Sequence, residues 1–177
     1  MNYFLKSPRL GFRCWSEDDL PLALGLWGDD EVSRLIGGPF TPAMVRDRLT
    51  KEIAQMREFG LQYWPIFLRD RNQSHQHIGC AGLRPYRRER RIHESGVHLR
   101  GAFHGQGLGK EAALAVIAHA FDALHAEALF AGHHPANAAS RRLLSSPGIV
   151  LTHEELYRPT GLMHPSYLLR GKQAPVS

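Results

Sequence analysis

Arg9 to Trp15 alternate charged or small side chains with apolar ones, the two-residue period of a half-buried strand. Ser16, followed by Glu17, Asp18 and Asp19, reads as an N-cap with acidic residues at the positive end of a helix, and Leu20, Leu24 and Trp27 follow at helical spacing. Gly37-Gly38-Pro39 closes that region. A second helix is predicted from a Thr41 cap with Pro42 at its first position, through Met44, Val45, Leu49, Ile53 and Met56, to Gly60 just past its end. From Tyr63 to Leu68 the run becomes β-rich; Asp70 to Ser74 reads as a turn, and Ile78 to Leu83 as the second strand of a hairpin. Pro85 to Arg91 is a charged connection and Ser95 to Leu99 a short strand. Ala113, Leu114, Ile117, Ala120, Phe121 and Leu124 then recur at three- and four-residue steps, predicting a long amphipathic helix. Ala128 to Gly132 reads as a strand and Asn137 to Leu144 as a helix stopped by Ser146-Pro147-Gly148. Ile149 to Leu151 and Ser166 to Leu169 supply two closing strands. The pattern is a mixed α/β domain, with strand–helix–strand units in its second half and antiparallel pairs elsewhere.

With 177 residues and 43% hydrophobic content, the chain can fill one sizeable core. Its longest apolar stretch is broken by Lys110, Glu111, His119 and Asp122, which predicts no membrane span. Met1 to Pro8 shows neither a leader nor a transit pattern, so a cytoplasmic protein is expected. Cys14 and Cys80, both within strand-like runs, read as buried free thiols rather than a disulfide or metal pair. A formal charge of +5 favours anionic partners and names none.

The chemistry concentrates at His104-Gly105-Gln106-Gly107-Leu108-Gly109, between a strand and a helix. Such a turn offers unpaired backbone N–H groups at the positive end of a helix, and glycines let anionic oxygens approach closely. The loop therefore suits a diphosphate. It fails a P-loop pattern twice: three residues, not four, separate Gly105 from Gly109, and Glu111 follows Lys110. A dinucleotide fold would need wider glycine spacing and an acid ending the next strand, whereas Glu127 precedes that strand. A nucleotide- or dinucleotide-binding enzyme is the weaker alternative.

This loop resembles the signature of the GNAT N-acetyltransferases (Gln or Arg, two residues, Gly, one residue, Gly or Ala), with His104 at the departing first position. The likeness narrows to the RimJ/RimL-like branch through Ser7 to Arg13 with Asp18-Asp19-Leu20, Ile78 to Leu83, Glu94 to Leu99, and Asn137-Ala138-Ala139-Ser140. The branch usually carries aromatic residues at Val97 and His98, and Gly-Phe at Gly148-Ile149. The resemblance implies a single GNAT domain over 1–172, with residues 173–177 a frayed tail, built on a mixed, mostly antiparallel twisted sheet flanked by helices. It implies acetyl-CoA as co-substrate, no metal, and an amine acceptor, either a protein N-terminus or a small molecule. Either a monomer or a homodimer would be consistent.

Direct transfer to an amine needs a base, an oxyanion donor and a proton for the thiolate. By resemblance, the backbone of Val97, His98 and Leu99 pairs with the pantetheine arm, and the loop from His104 to Lys110, including Gly105, Gln106, Gly107, Leu108 and Gly109, holds the pyrophosphate. Glu94 could accept the amine's proton directly or through water. Asn137 and Ser140 share a helix face, with Asn137 on the coenzyme arm and Ser140 near the thiol as proton donor; Tyr157 and Tyr167 are alternative donors. The pairs His75/His77 and His133/His134 lack partners for a metal. Arg84, Arg87, Arg88, Arg90 and Arg91, with Tyr86 among them, form a basic run that an RNA or a ribosome surface could meet, so an RNA-binding module is the third reading.

Overall fold

The computed structural model describes residues 2–69, 75–146 and 148–171; the predicted turn at Asp70 to Ser74, Pro147 and the tail after Lys172 fall outside them. In chain order, strands β1 (Leu5–Lys6) and β2 (Leu10–Phe12) lead to helices α1 (Leu20–Trp27), α2 (Asp30–Ser33) and α3 (Pro42–Phe59). Strands β3 (Tyr63–Arg69), β4 (His75–Arg87) and β5 (Ile92–Leu99) precede α4 (Leu108–Asp122), β6 (Ala128–Gly132), α5 (Ala138–Leu144), β7 (Ile149–Tyr157) and β8 (Leu162–Arg170). The eight strands form one sheet, ordered β1-β2-β3-β4-β5-β6-β8-β7, in which only β5 and β6 are parallel neighbours.

Strand alternation divides the core into two clusters. Trp64, Ile66, Ala81 and Leu83 join Leu108, Ala112, Val116 and Ala120 of α4. Tyr63 and Cys80 join Trp27 of α1 and Val45 and Leu49 of α3. The predicted face of α4 holds at Ala113, Ile117, Ala120, Phe121 and Leu124, which are buried or pack against the core, but not at Leu114, which is 54% exposed; Ala112 and Val116 widen the buried stripe instead. Thr41 caps α3 through its side-chain oxygen, which accepts the Met44 N–H at 3.3 Å, as its sequence suggests.

Other boundaries differ for physical reasons. The first predicted strand is only Leu10–Phe12, because Trp15 leaves the ladder: its N–H donates to Gln62 Oε1 at 2.8 Å and its indole to the Tyr63 carbonyl at 2.6 Å. Cys14 is exposed in that bend, not buried, whereas Cys80 is buried. The charged connection is partly strand, since β4 runs on to Arg87 opposite Ile92 and only Arg88 to Arg91 make the turn. The closing strands are much longer than predicted; most of β7 is exposed on both faces, so no alternation marks it. β1 and α2 are too short to show a period.

Candidate active site

Gly105 and Gly107 have φ of 73° and 75°, and Gly107 stands as the N-cap of α4 with no side chain capping it. A Cβ on Gly105 would meet nothing within 4 Å, and one on Gly107 only the Arg9 side chain at 3.6 Å. Backbone conformation, not crowding, demands glycine here, and the space in front of the first-turn N–H groups is open. This cradle fits a diphosphate.

The loop's side chains are otherwise engaged. His104 Nε2 lies 3.0 Å from the Leu99 carbonyl, turning the ring back toward β5, and Gln106 donates to the Ala102 carbonyl at 3.1 Å. Leu108 is core, so only its backbone can serve a ligand. Gly109 packs against Leu99, and Lys110 reaches the neighbouring cleft. Arg9 supplies a cation that sequence reasoning missed: Nη1 donates to the Gln106 carbonyl at 3.1 Å and Nε to Glu111 Oε2 at 2.7 Å. Burial pushes the Glu111 carboxyl up, but hydrogen bonds from Ser7, the Arg9 N–H and the Arg9 side chain outweigh it and hold its pKa below the ordinary value. No local signal ties Arg9 to a loop about 100 positions away.

Next to the cradle, the sheet opens. β5 pairs with β6 only at Ile92↔Ala128, His93↔Leu129 and Glu94↔Phe130, while β4 accompanies β5 as far as Leu99. Ser95 to His98 thus present alternate N–H and C=O groups to a cleft of about 410 Å³ instead of to β6. An extended ligand arm could satisfy them as an added strand. Of the anticipated residues, Glu94, Val97, His98, Lys110, Asn137 and Ser140 line this cleft, as do Tyr157 and Tyr167; Leu99 and His104 to Gly109 lie at the loop instead.

Tyr63 donates its hydroxyl to Glu94 Oε1 at 3.3 Å. Burial, reinforced by the Glu94 charge, pushes the Tyr63 phenol well above its ordinary pKa, so it remains a donor. Gly96 makes room for it, since a Cβ there would collide with the Tyr63 hydroxyl. Asn137 caps α5, its Oδ1 accepting the Ser140 N–H at 3.0 Å, which leaves its NH₂ and the Ser140 hydroxyl for the cleft. Burial raises the Tyr157 phenol pKa, and its ring stacks on His164 at 4.7 Å. The Tyr167 hydroxyl lies 3.4 Å from His133 Nε2.

His98 accepts the Trp27 indole N–H at Nδ1, at 3.2 Å; burial first, then the charges of Arg48 and Arg84, push its pKa well down and keep it neutral. The positions that depart from the branch, Val97, His98 and Ile149, all line the cleft. The basic run does not form one face. Arg84 turns inward to pair with Glu52, Tyr86 stacks on Phe130 at 4.1 Å, Arg88 covers Phe59 and Arg91 pairs with Glu127.

Among solved structures, an acetyltransferase of the GNAT family from Bacillus anthracis is 20% identical, with a TM-score of 0.78 over 94% of this chain and 97% of that one. The acetyltransferase from Agrobacterium tumefaciens is 22% identical, with a TM-score of 0.78 over 97% and 98%. RimL, a ribosomal L7/L12 α-N-protein acetyltransferase in complex with coenzyme A, is 16% identical, with a TM-score of 0.77 over 93% and 95%. No curated protein matches the chain. Among the described residues no helix is long and apolar enough to cross a membrane. Residues 9–150 match the acetyltransferase (GNAT) domain family, and with its open β5 edge leading into a glycine-rich helix start the chain belongs to that family, as an acetyl-CoA-dependent acetyltransferase with a RimJ/RimL-like fold.

Proposed function

We propose that the protein transfers acetyl from acetyl-CoA directly to a primary amine, of a protein N-terminus or a small molecule, at the point where β5 leaves β6. The observation that carries this reading is the Ser95 to His98 edge beside Glu94, unpaired by β6, inside the cleft and followed by the glycine cradle. Acetyl-CoA supplies the activated carbonyl and the thiolate leaving group. Backbone N–H groups from Gly105 to Lys110 hold the pyrophosphate, with the Arg9 guanidinium, paired with Glu111, bracing the loop at the Gln106 carbonyl. The Val97 to Leu99 backbone orients the pantetheine arm, and an N–H there donates to the developing oxyanion. Glu94, held by Tyr63, takes the proton from the attacking amine. Asn137 donates its NH₂ to the arm, and Ser140 returns a proton to the departing sulfur.

The test is acetyl transfer from acetyl-CoA to a panel of primary amines, with Ser140→Ala compared against Tyr157→Phe and Tyr167→Phe. Ser140→Ala is expected to lower turnover while leaving coenzyme affinity unchanged. A larger loss in either tyrosine variant would move the proton donor to that phenol. Stabilisation of the protein by NAD but not by acetyl-CoA would overturn the reading.

A further inference from the structure

Of the charged groups of the cleft that take no part in this mechanism, Arg84 pairs with Glu52 and Glu155 accepts from Tyr86, whereas Arg48 is uncommitted. Arg48, on α3, is half-buried; its guanidinium carbon lies 4.7 Å from the Trp27 ring centroid and 5.8 Å from that of Phe40. Its Nε is buried without a hydrogen-bond partner, and no ion pair among the described residues includes it. The nearby carboxylate is already committed. Glu52 takes Arg84 on one oxygen and the Tyr63 N–H on the other, at 2.8 Å. Arg84 is thereby ion-paired, and Arg48 is left without a carboxylate partner of its own among the described residues.

Its position gives that group a use. Arg48 and Arg84 line both the catalytic cleft and a second groove of about 380 Å³ along α3, bordered also by Phe40, Met44, Asp47, Lys51 and Glu52, so they stand where groove and cleft meet. Glu94 faces the same cleft, and Tyr157 feels the charges of Arg48, Glu94 and Arg84 together. A half-buried guanidinium clamped by two aromatic faces has lost much of its hydration and presents a planar fork suited to a carboxylate. A carboxylate at Glu94 for an ammonium and a free fork at Arg48 for an anion complement one molecule bearing both.

We propose that Arg48 is the anion-reading group of the acceptor subsite, and that the acceptor is an amine that also carries a carboxylate. This rests on the amine-transfer reading above. The carboxylate belongs either to a free amino acid or to an acidic side chain next to a peptide N-terminus, and the two sources can be separated by assay.

Acetylation is measured with free amino acids against their carboxamides, and with peptide amides bearing aspartate against asparagine at the second position. The carboxylate member of one pair is expected to be preferred by about tenfold or more in kcat/KM. In Arg48→Met that preference collapses, mainly through KM, while coenzyme affinity stays at the wild-type value. Arg48→Lys, which keeps the charge without the fork, retains part of the preference and carries the test if Arg48→Met does not fold. Equal use of acids and amides, or a preference that survives in Arg48→Met, would overturn this subsite and leave amine transfer standing. Acetylation of no amine at all would overturn both.

Discussion

Tyr63 and Glu94 meet at 3.3 Å although β4 runs between their strands, and they do so because the intervening residue on β5, Gly96, has no side chain. The phenol keeps its proton, so it can orient Glu94 without competing with it for the amine's proton. Glu94→Gln removes the proton acceptor but keeps the shape, and should lower kcat about 100-fold or more with coenzyme affinity retained. Tyr63→Phe should cost less, since it removes only the orienting donor. Steady-state kinetics beside calorimetric titration of coenzyme A separates the two effects. Wild-type turnover in Glu94→Gln would remove this residue from the mechanism.

The cradle makes a different demand. Valine at Gly107 would have to adopt a φ of 75°, costing about 1–2 kcal/mol, and would push its branches into the open space before the α4 N–H groups. Gly107→Val is expected to raise the coenzyme dissociation constant about tenfold or more while lowering the melting temperature by only a few degrees. Calorimetry and thermal melting read both quantities. Unchanged affinity would mean that the phosphates lie elsewhere.

The glycine turn and the Asn137 cap were legible in the sequence because their determinants are local. Alternating glycines before a helix and a three-residue Asn137/Ser140 spacing each express a backbone geometry within a few residues. The far wall of the cleft was not, because its groups are gathered from distant segments. In the sequence Arg48 is an unmarked residue between Val45 and Leu49 of a helix, Arg84 one more charge in a basic run, and Tyr63 the first residue of a β-rich run. Arg9 likewise needed the folded sheet to reach Gln106. Only the start of the edge strand β7, Ile149 to Leu151, was legible, for the opposite reason: beyond it almost every residue is exposed and there is no apolar period to read.

Acid should weaken the fold through a histidine that plays no part in the chemistry. His77 is 5% exposed, packed edge-on against Trp15 and tilted against Phe67, with a buried Nε2 lacking any partner among the described residues. Burial, and next the Arg100 charge, lowers its pKa from 6.5 to about 4. The unfolded chain therefore binds this proton more readily than the folded one between those two values. The stability that a neutral His77 permits is complete above the unfolded value, and is lost as pH falls from there through the folded value. By linkage the loss is about 2 kcal/mol at pH 5 and grows to about 3 kcal/mol below the folded pKa. His98, lowered in the same direction by burial, adds to the same acid sensitivity. His77→Phe keeps a ring among its aromatic neighbours and removes the proton, so its unfolding free energy should fall less steeply from pH 7 to pH 5 than that of the wild type. Chemical denaturation across that range measures the slope, and an NMR titration of His77 with its midpoint near the ordinary histidine value would sink the explanation.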